Sequence, residues 1–106
     1  MDIKQLSERA LEVRAEYSEL EKQKYGREWT RSEIMQGFVG DVGDLMKLVM
    51  AKEGIRTKEN IDEKIGHELS DCLWCVLVLA KKYDVDIEKT FLKTMDDIDE
   101  QILKQL

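Results

Sequence analysis

The chain contains no proline in 106 residues, and its aromatics are two tryptophans, three tyrosines and two phenylalanines. Nothing in it breaks a helix from within, and no convincing run of alternating apolar and polar residues supports a strand. One histidine and two cysteines are too few for a disulfide framework or a Cys/His zinc site. There is no Lys/Arg block, and the 17 basic residues are outnumbered by 23 acidic ones, for a net charge of −6. That balance excludes non-specific binding to a nucleic-acid polymer. No apolar run reaches the length of a membrane span, and the N-terminus lacks the apolar core of a signal peptide. The expectation is a cytoplasmic protein without a membrane partner.

What is present is 38% charged and 42% hydrophobic residues. This is the balance of a helical domain, and the length suits one domain over residues 1–106. Ile3, Leu6, Ala10, Val13, Tyr17 and Leu20 recur at alternating steps of three and four. The spacing predicts a helix from about Asp2 to Lys24, stopped near Gly26. Thr30-Arg31-Ser32-Glu33 reads as a capping box, so a second helix starts near Arg31, carries Ile34, Phe38, Leu45 and Val49, and ends at Gly54. Ile55 to Glu59 is a charged connection. Asn60-Ile61-Asp62-Glu63 reads as a second capping box, opening a helix to about Tyr83 that is apolar nearly all round from Leu69 to Ala80. Asp86 caps a fourth helix with Phe91, Met95, Ile98 and Ile102 on one stripe. The fold class is all-α, a four-helix bundle-like protomer. The seam of the first helix and the all-round apolar third helix are more apolar surface than one protomer covers, so the chain is expected to assemble with itself.

Two acidic pairs interrupt apolar stretches. Asp41 and Asp44 lie between Phe38 and Met50; Glu68 and Asp71 lie at the start of the Leu69–Ala80 stretch. Spacing of three puts each pair on one helix face. A carboxylate on a packing face is costly unless its charge is compensated, and hard cations such as magnesium take oxygen ligands. Two other readings stand beside the metal: a solvated helix face, and ion pairs of Asp44 with Lys47 or Glu68 with Lys64. Gly37, Gly40 and Gly43 recur at three-residue steps in the second helix, each costing about 1 kcal/mol against alanine. They point to a backbone that another helix or a ligand approaches closely, with Gly37 on the face of Asp41 and Asp44. Cys72 and Cys75 form a C-x-x-C, but within Cys72 to Leu79 they read as small buried hydrophobes.

The arrangement resembles the MazG family of all-α nucleoside triphosphate pyrophosphohydrolases, which carry E-x-x-E on one helix and E-x-x-D on a later one. Here the first motif is Asp41-Val42-Gly43-Asp44, and the second is Glu68-Leu69-Ser70-Asp71 followed by Cys72-Leu73-Trp74. Leu79-Ala80-Lys81-Lys82-Tyr83-Asp84-Val85-Asp86-Ile87-Glu88 is similar to the family's L-A-x-x-x-G-I-D-L-E stretch, and Trp29 resembles the tryptophan that often precedes the first motif. The likeness covers about residues 17 to 98. Two features depart from it. Both glutamates of the first motif are aspartates, which brings a metal closer to the backbone of the second helix. On the fourth helix the family's F-x-x-K-x-x-x-N, counted from Phe91, falls on Thr94 and Ile98, with Lys93 one place off.

The resemblance implies a dimer or tetramer. It also implies Mg2+, with Mn2+ as a substitute, held by Asp41, Asp44, Glu68 and Asp71. The substrate is a nucleoside triphosphate, cut to the monophosphate and pyrophosphate, and by the family pattern Asp41 is the general base. Lys47, Lys52 and Lys93 are candidate phosphate contacts, with solvated lysines as the alternative. Trp29 is a candidate to stack on a base, with a core tryptophan as the alternative. Two other functions remain open: a catalytically weak relative that binds nucleotide or metal as a regulatory protein, and a plain helical oligomerisation module.

Overall fold

Three of the helices begin where a side chain satisfies unpaired N–H groups of the first turn. The computed structural model describes residues 1–54 and 59–106. It contains α1 (Ile3–Tyr25), α2 (Arg31–Lys52), α3 (Ile61–Lys82) and α4 (Ile87–Gln105), with no strand among the described residues. Asp2 caps α1 and exchanges hydrogen bonds with Gln5. Gly26 then ends α1 in the left-handed region, at φ 80°, its N–H donating to the Lys22 carbonyl. The Thr30–Glu33 capping box forms as expected: the Glu33 N–H donates to Thr30 Oγ1 at 3.2 Å and the Thr30 N–H to Glu33 Oε1 at 3.0 Å. Asp86 caps α4 by accepting from the Lys89 N–H at 3.2 Å.

The start of α3 departs from expectation. Asn60 takes the left-handed conformation, φ 55° and ψ 37°, and its side chain makes no capping bond. Asparagine tolerates that backbone, which turns its side chain away from the first-turn N–H groups. Asp62 and Glu63 in the first turn complement the helix dipole instead. The charged connection expected over Ile55–Glu59 lies, for residues 55–58, outside the described residues.

The α2 and α3 helices pack as an antiparallel pair. Lys52 meets Asp62, Asp44 lies near Glu68, and Asp41 lies near Cys75, so numbers fall on one helix as they rise on the other. The α1 helix lies across α3, where the Trp74 indole N–H donates to the Ala10 carbonyl at 3.0 Å. The buried apolar core is small: Ala10, Ile34, Leu48, Ala51, Leu77 and Val78. The third helix, expected to need cover on all sides, leaves Leu69 and Leu73 exposed in the protomer. The α1 seam is likewise only partly used: Ala10 is buried, whereas Leu6, Tyr17 and Leu20 are exposed. The residues α1 buries form a largely polar stripe of Ala10, Arg14, Ser18 and Glu21.

No residue of α4 is buried, although Phe91, Met95, Ile98 and Ile102 share one stripe. The radius of gyration is 16.9 Å, against about 13 Å for a compact chain of this length. No helix among the described residues is long and apolar enough to cross a membrane.

Candidate metal centre

Antiparallel packing of α2 on α3 brings the two acidic pairs together. Asp41, Asp44 and Glu68 offer carboxylate oxygens that lie within 4.8 Å of one another. A second group overlaps it: donor atoms of His67, Glu68 and Asp71 also lie within 4.8 Å of one another. Glu68 belongs to both. Its Oε2 is buried and has no hydrogen-bond partner among the described residues. A buried acceptor without a partner carries its full desolvation cost, and a cation held by its neighbours would remove that cost. The oxygen-rich donor set suits a hard divalent ion.

The electrostatics agree with an uncompensated site. Burial, then the charges of Asp71, Asp41 and Asp44, raises the Glu68 pKa. Burial, followed by the Asp71 charge, raises that of Asp41, while a bond from Cys75 pulls the other way. The Cys75 thiol donates to Asp41 Oδ2 at 3.8 Å and is itself pushed up to about 11, by burial first and then by Asp41. Burial likewise raises Cys72. Both cysteines are half-buried. Protonated thiols are poor nucleophiles at neutral pH.

The lysine pairs that the sequence offered do not account for the cluster. Among the described residues neither Asp44–Lys47 nor Glu68–Lys64 forms. Lys52 pairs with Asp62 at 2.7 Å, and His67 Nε2 lies 3.2 Å from Asp71 Oδ2.

Two clefts flank the carboxylates. One, of about 390 Å3, is lined by Asp44, Glu68, Lys47, Lys64 and His67 among others. The other, of about 400 Å3, runs from Asp41, Asp71 and His67 to Tyr17, Trp29 and Trp74. Tyr17 and Trp74 lie tilted at 51° with ring centroids 5.6 Å apart. Trp29 lies against Gly37, where an added Cβ would sit 3.2 Å from its ring. Of the three glycines in α2, Gly37 is the one whose lack of a side chain is used within the protomer; Gly40 and Gly43 face open space. The Arg14 guanidinium sits 5.9 Å from the Trp29 ring centroid.

The structure therefore gathers Asp41, Asp44, Glu68 and Asp71, with Lys47 and Trp29 at the rims of the clefts. It does not bring Lys52 or Lys93 to them: Lys52 is held by Asp62, and Lys93, on α4, pairs with Asp97 at 2.9 Å. Residues the spacing argument passed over are His67, Trp74 and the buried pair Arg14–Glu21. A signal for His67 was present, since a histidine four places before Asp71 shares its helix face.

The fold and the cluster define an all-α protein with a carboxylate-rich centre between two helices. Compared with protein-family models, curated proteins and solved structures, the chain matches none.

Proposed function

We propose that the protein is a magnesium-dependent nucleoside triphosphate pyrophosphohydrolase that releases the monophosphate and pyrophosphate in the cytoplasm. The observation that carries this reading is the buried, partnerless Oε2 of Glu68 among Asp41, Asp44 and Asp71. Asp41, Asp44, Glu68 and Asp71 hold the ion. When bound, magnesium, or manganese in its place, neutralises triphosphate charge and acidifies a water. Asp41, with a raised pKa and a thiol fixing one oxygen, accepts the proton of the attacking water. The water oxygen bonds to the α-phosphorus, and the bond to the α–β bridging oxygen breaks. Lys47, on the cleft beside Asp44 and Glu68, meets phosphate oxygens. The aromatic cleft of Tyr17, Trp29 and Trp74 takes the base.

Self-association belongs to the same reading. A 19-residue helix with no buried residue is not stable on its own, so the α4 stripe is covered by another copy. Light scattering should report a dimer or tetramer rather than a single 12.4 kDa chain.

A second reading is favoured by α4. Its Lys93 is engaged by Asp97 and lines neither cleft, which suits a catalytically weak relative that binds nucleotide or metal as a regulatory protein. Turnover of a panel of nucleoside triphosphates with magnesium, read as pyrophosphate release, separates the two. Release of pyrophosphate that stops in excess EDTA supports the enzyme. Orthophosphate as the main product contradicts it. Magnesium binding without turnover selects the regulatory protein.

A further inference from the structure

The two donor groups around Glu68 are not equivalent. Asp41, Asp44 and Glu68 offer oxygen alone, whereas His67, Glu68 and Asp71 include an imidazole nitrogen. Two donors on adjacent corners of one small divalent ion, each about 2.1 Å from it, lie about 3 Å apart. His67 Nε2 and Asp71 Oδ2 are 3.2 Å apart, in direct contact with each other as an i,i+4 pair, and an ion between them would take the place of that contact. His67 sits four residues before Asp71 and directly before Glu68 on α3, so one turn of helix presents all three. The third member, Glu68, brings the buried oxygen that no group among the described residues satisfies. The imidazole side chain itself is 73% exposed, so it has room to adjust.

We propose that His67 is a metal ligand: with Glu68 and Asp71 it forms a second cation position that prefers manganese or another first-row transition ion over magnesium, beside an all-oxygen position of Asp41, Asp44 and Glu68. This rests on the reading of the carboxylates as a metal centre. Imidazole favours the transition metals over magnesium, and affinity at a mixed N/O site rises along the first row. The oxygen triad has no such bias and accepts magnesium. The site is therefore asymmetric, with Glu68 common to its two halves.

The test uses Mn2+ as the probe and pulsed electron paramagnetic resonance as the readout, on the chain without an added histidine tag. His67 is the single histidine of the sequence, so a coupling from an imidazole nitrogen has one source. Wild-type protein loaded with Mn2+ should show that nitrogen coupling, and His67→Asn should lose it. Asp44→Asn, which touches the oxygen triad alone, should keep it. Competition of Mn2+ against Mg2+ should show the manganese preference falling about ten-fold or more in His67→Asn. Circular dichroism checks that the exposed substitution leaves the helices intact. Bound Mn2+ without nitrogen coupling overturns the role of His67 and leaves the carboxylate centre standing. Failure of both Mn2+ and Mg2+ to bind at millimolar concentration overturns the carboxylate centre and this inference with it.

Discussion

Two regions of the molecule take carboxylate oxygens out of water and treat them in opposite ways. On α1, Glu21 is surrounded by donors: Arg14 reaches it along the helix, and the Trp29 N–H donates to it at 2.9 Å from the following loop. Arg14 in turn donates to Ser18 at 3.4 Å. Between α2 and α3, Glu68 has an oxygen with no donor among the described residues, and Asp41, Asp44 and Asp71 lie around it with His67. The chain thus places an arginine beside one buried acid and leaves the other acids together. On the proposed reading, that difference in surroundings is what separates a structural acid from a metal ligand.

The largest effect should come from breaking the compensated region. Arg14→Met strands a buried charge on Glu21 and should destabilise the fold by about 3–5 kcal/mol, read by urea denaturation. Arg14→Met combined with Glu21→Met should recover most of that loss. Equal losses in the single and double variants would show that the pair does not act as a unit.

The uncompensated region should yield its largest effect in chemistry. Asp44→Asn and Asp71→Asn each remove a proposed ligand and should lower turnover about a hundred-fold or more. A steady-state assay checks this, and losses below two-fold would remove these acids from the site.

The pH dependence should carry opposite signs in two groups of acids. Glu33, bonded by Arg27, is held down at about 2, so its contribution is present above the ordinary glutamate range and is lost as pH falls towards 2. Asp41 and Glu68 are raised, so in the native state they bind more protons than in the unfolded chain. The metal-free fold should therefore lose stability as pH rises from the ordinary carboxylate range through their native values. Denaturation across pH in EDTA should show that decline, and saturating magnesium should flatten it. The decline should also vanish in the double variant Asp41→Asn, Glu68→Gln.

Much of the architecture was legible because helix signals are local. Thr30 with Glu33, Gly26 and Asp86 each act within one turn, and each does what its position implied. Asn60 did not, because a capping side chain works only from the right backbone conformation, and the sequence does not specify that conformation. The acidic pairs were legible from their spacing inside apolar stretches. Arg14 and Glu21 were not: seven residues apart on a charged helix, they resemble solvent-facing residues. Their burial depends on Trp29 folding back from the loop onto Gly37, a tertiary event. The α4 stripe was legible as apolar surface, yet periodicity names no partner for it, and the protomer leaves it uncovered.

On the proposed reading, the missing partner of the Glu68 Oε2 is a divalent cation. Thermal melts of wild type and Glu68→Gln, each in EDTA and in magnesium, decide this. Neutralising the orphaned carboxylate should stabilise the metal-free protein by about 1 kcal/mol, and magnesium, binding the native state alone, should raise the wild-type melting temperature well beyond its effect on the variant. A Glu68→Gln protein that melts below wild type in EDTA, with both gaining equally from magnesium, would show that Glu68 is not a metal ligand.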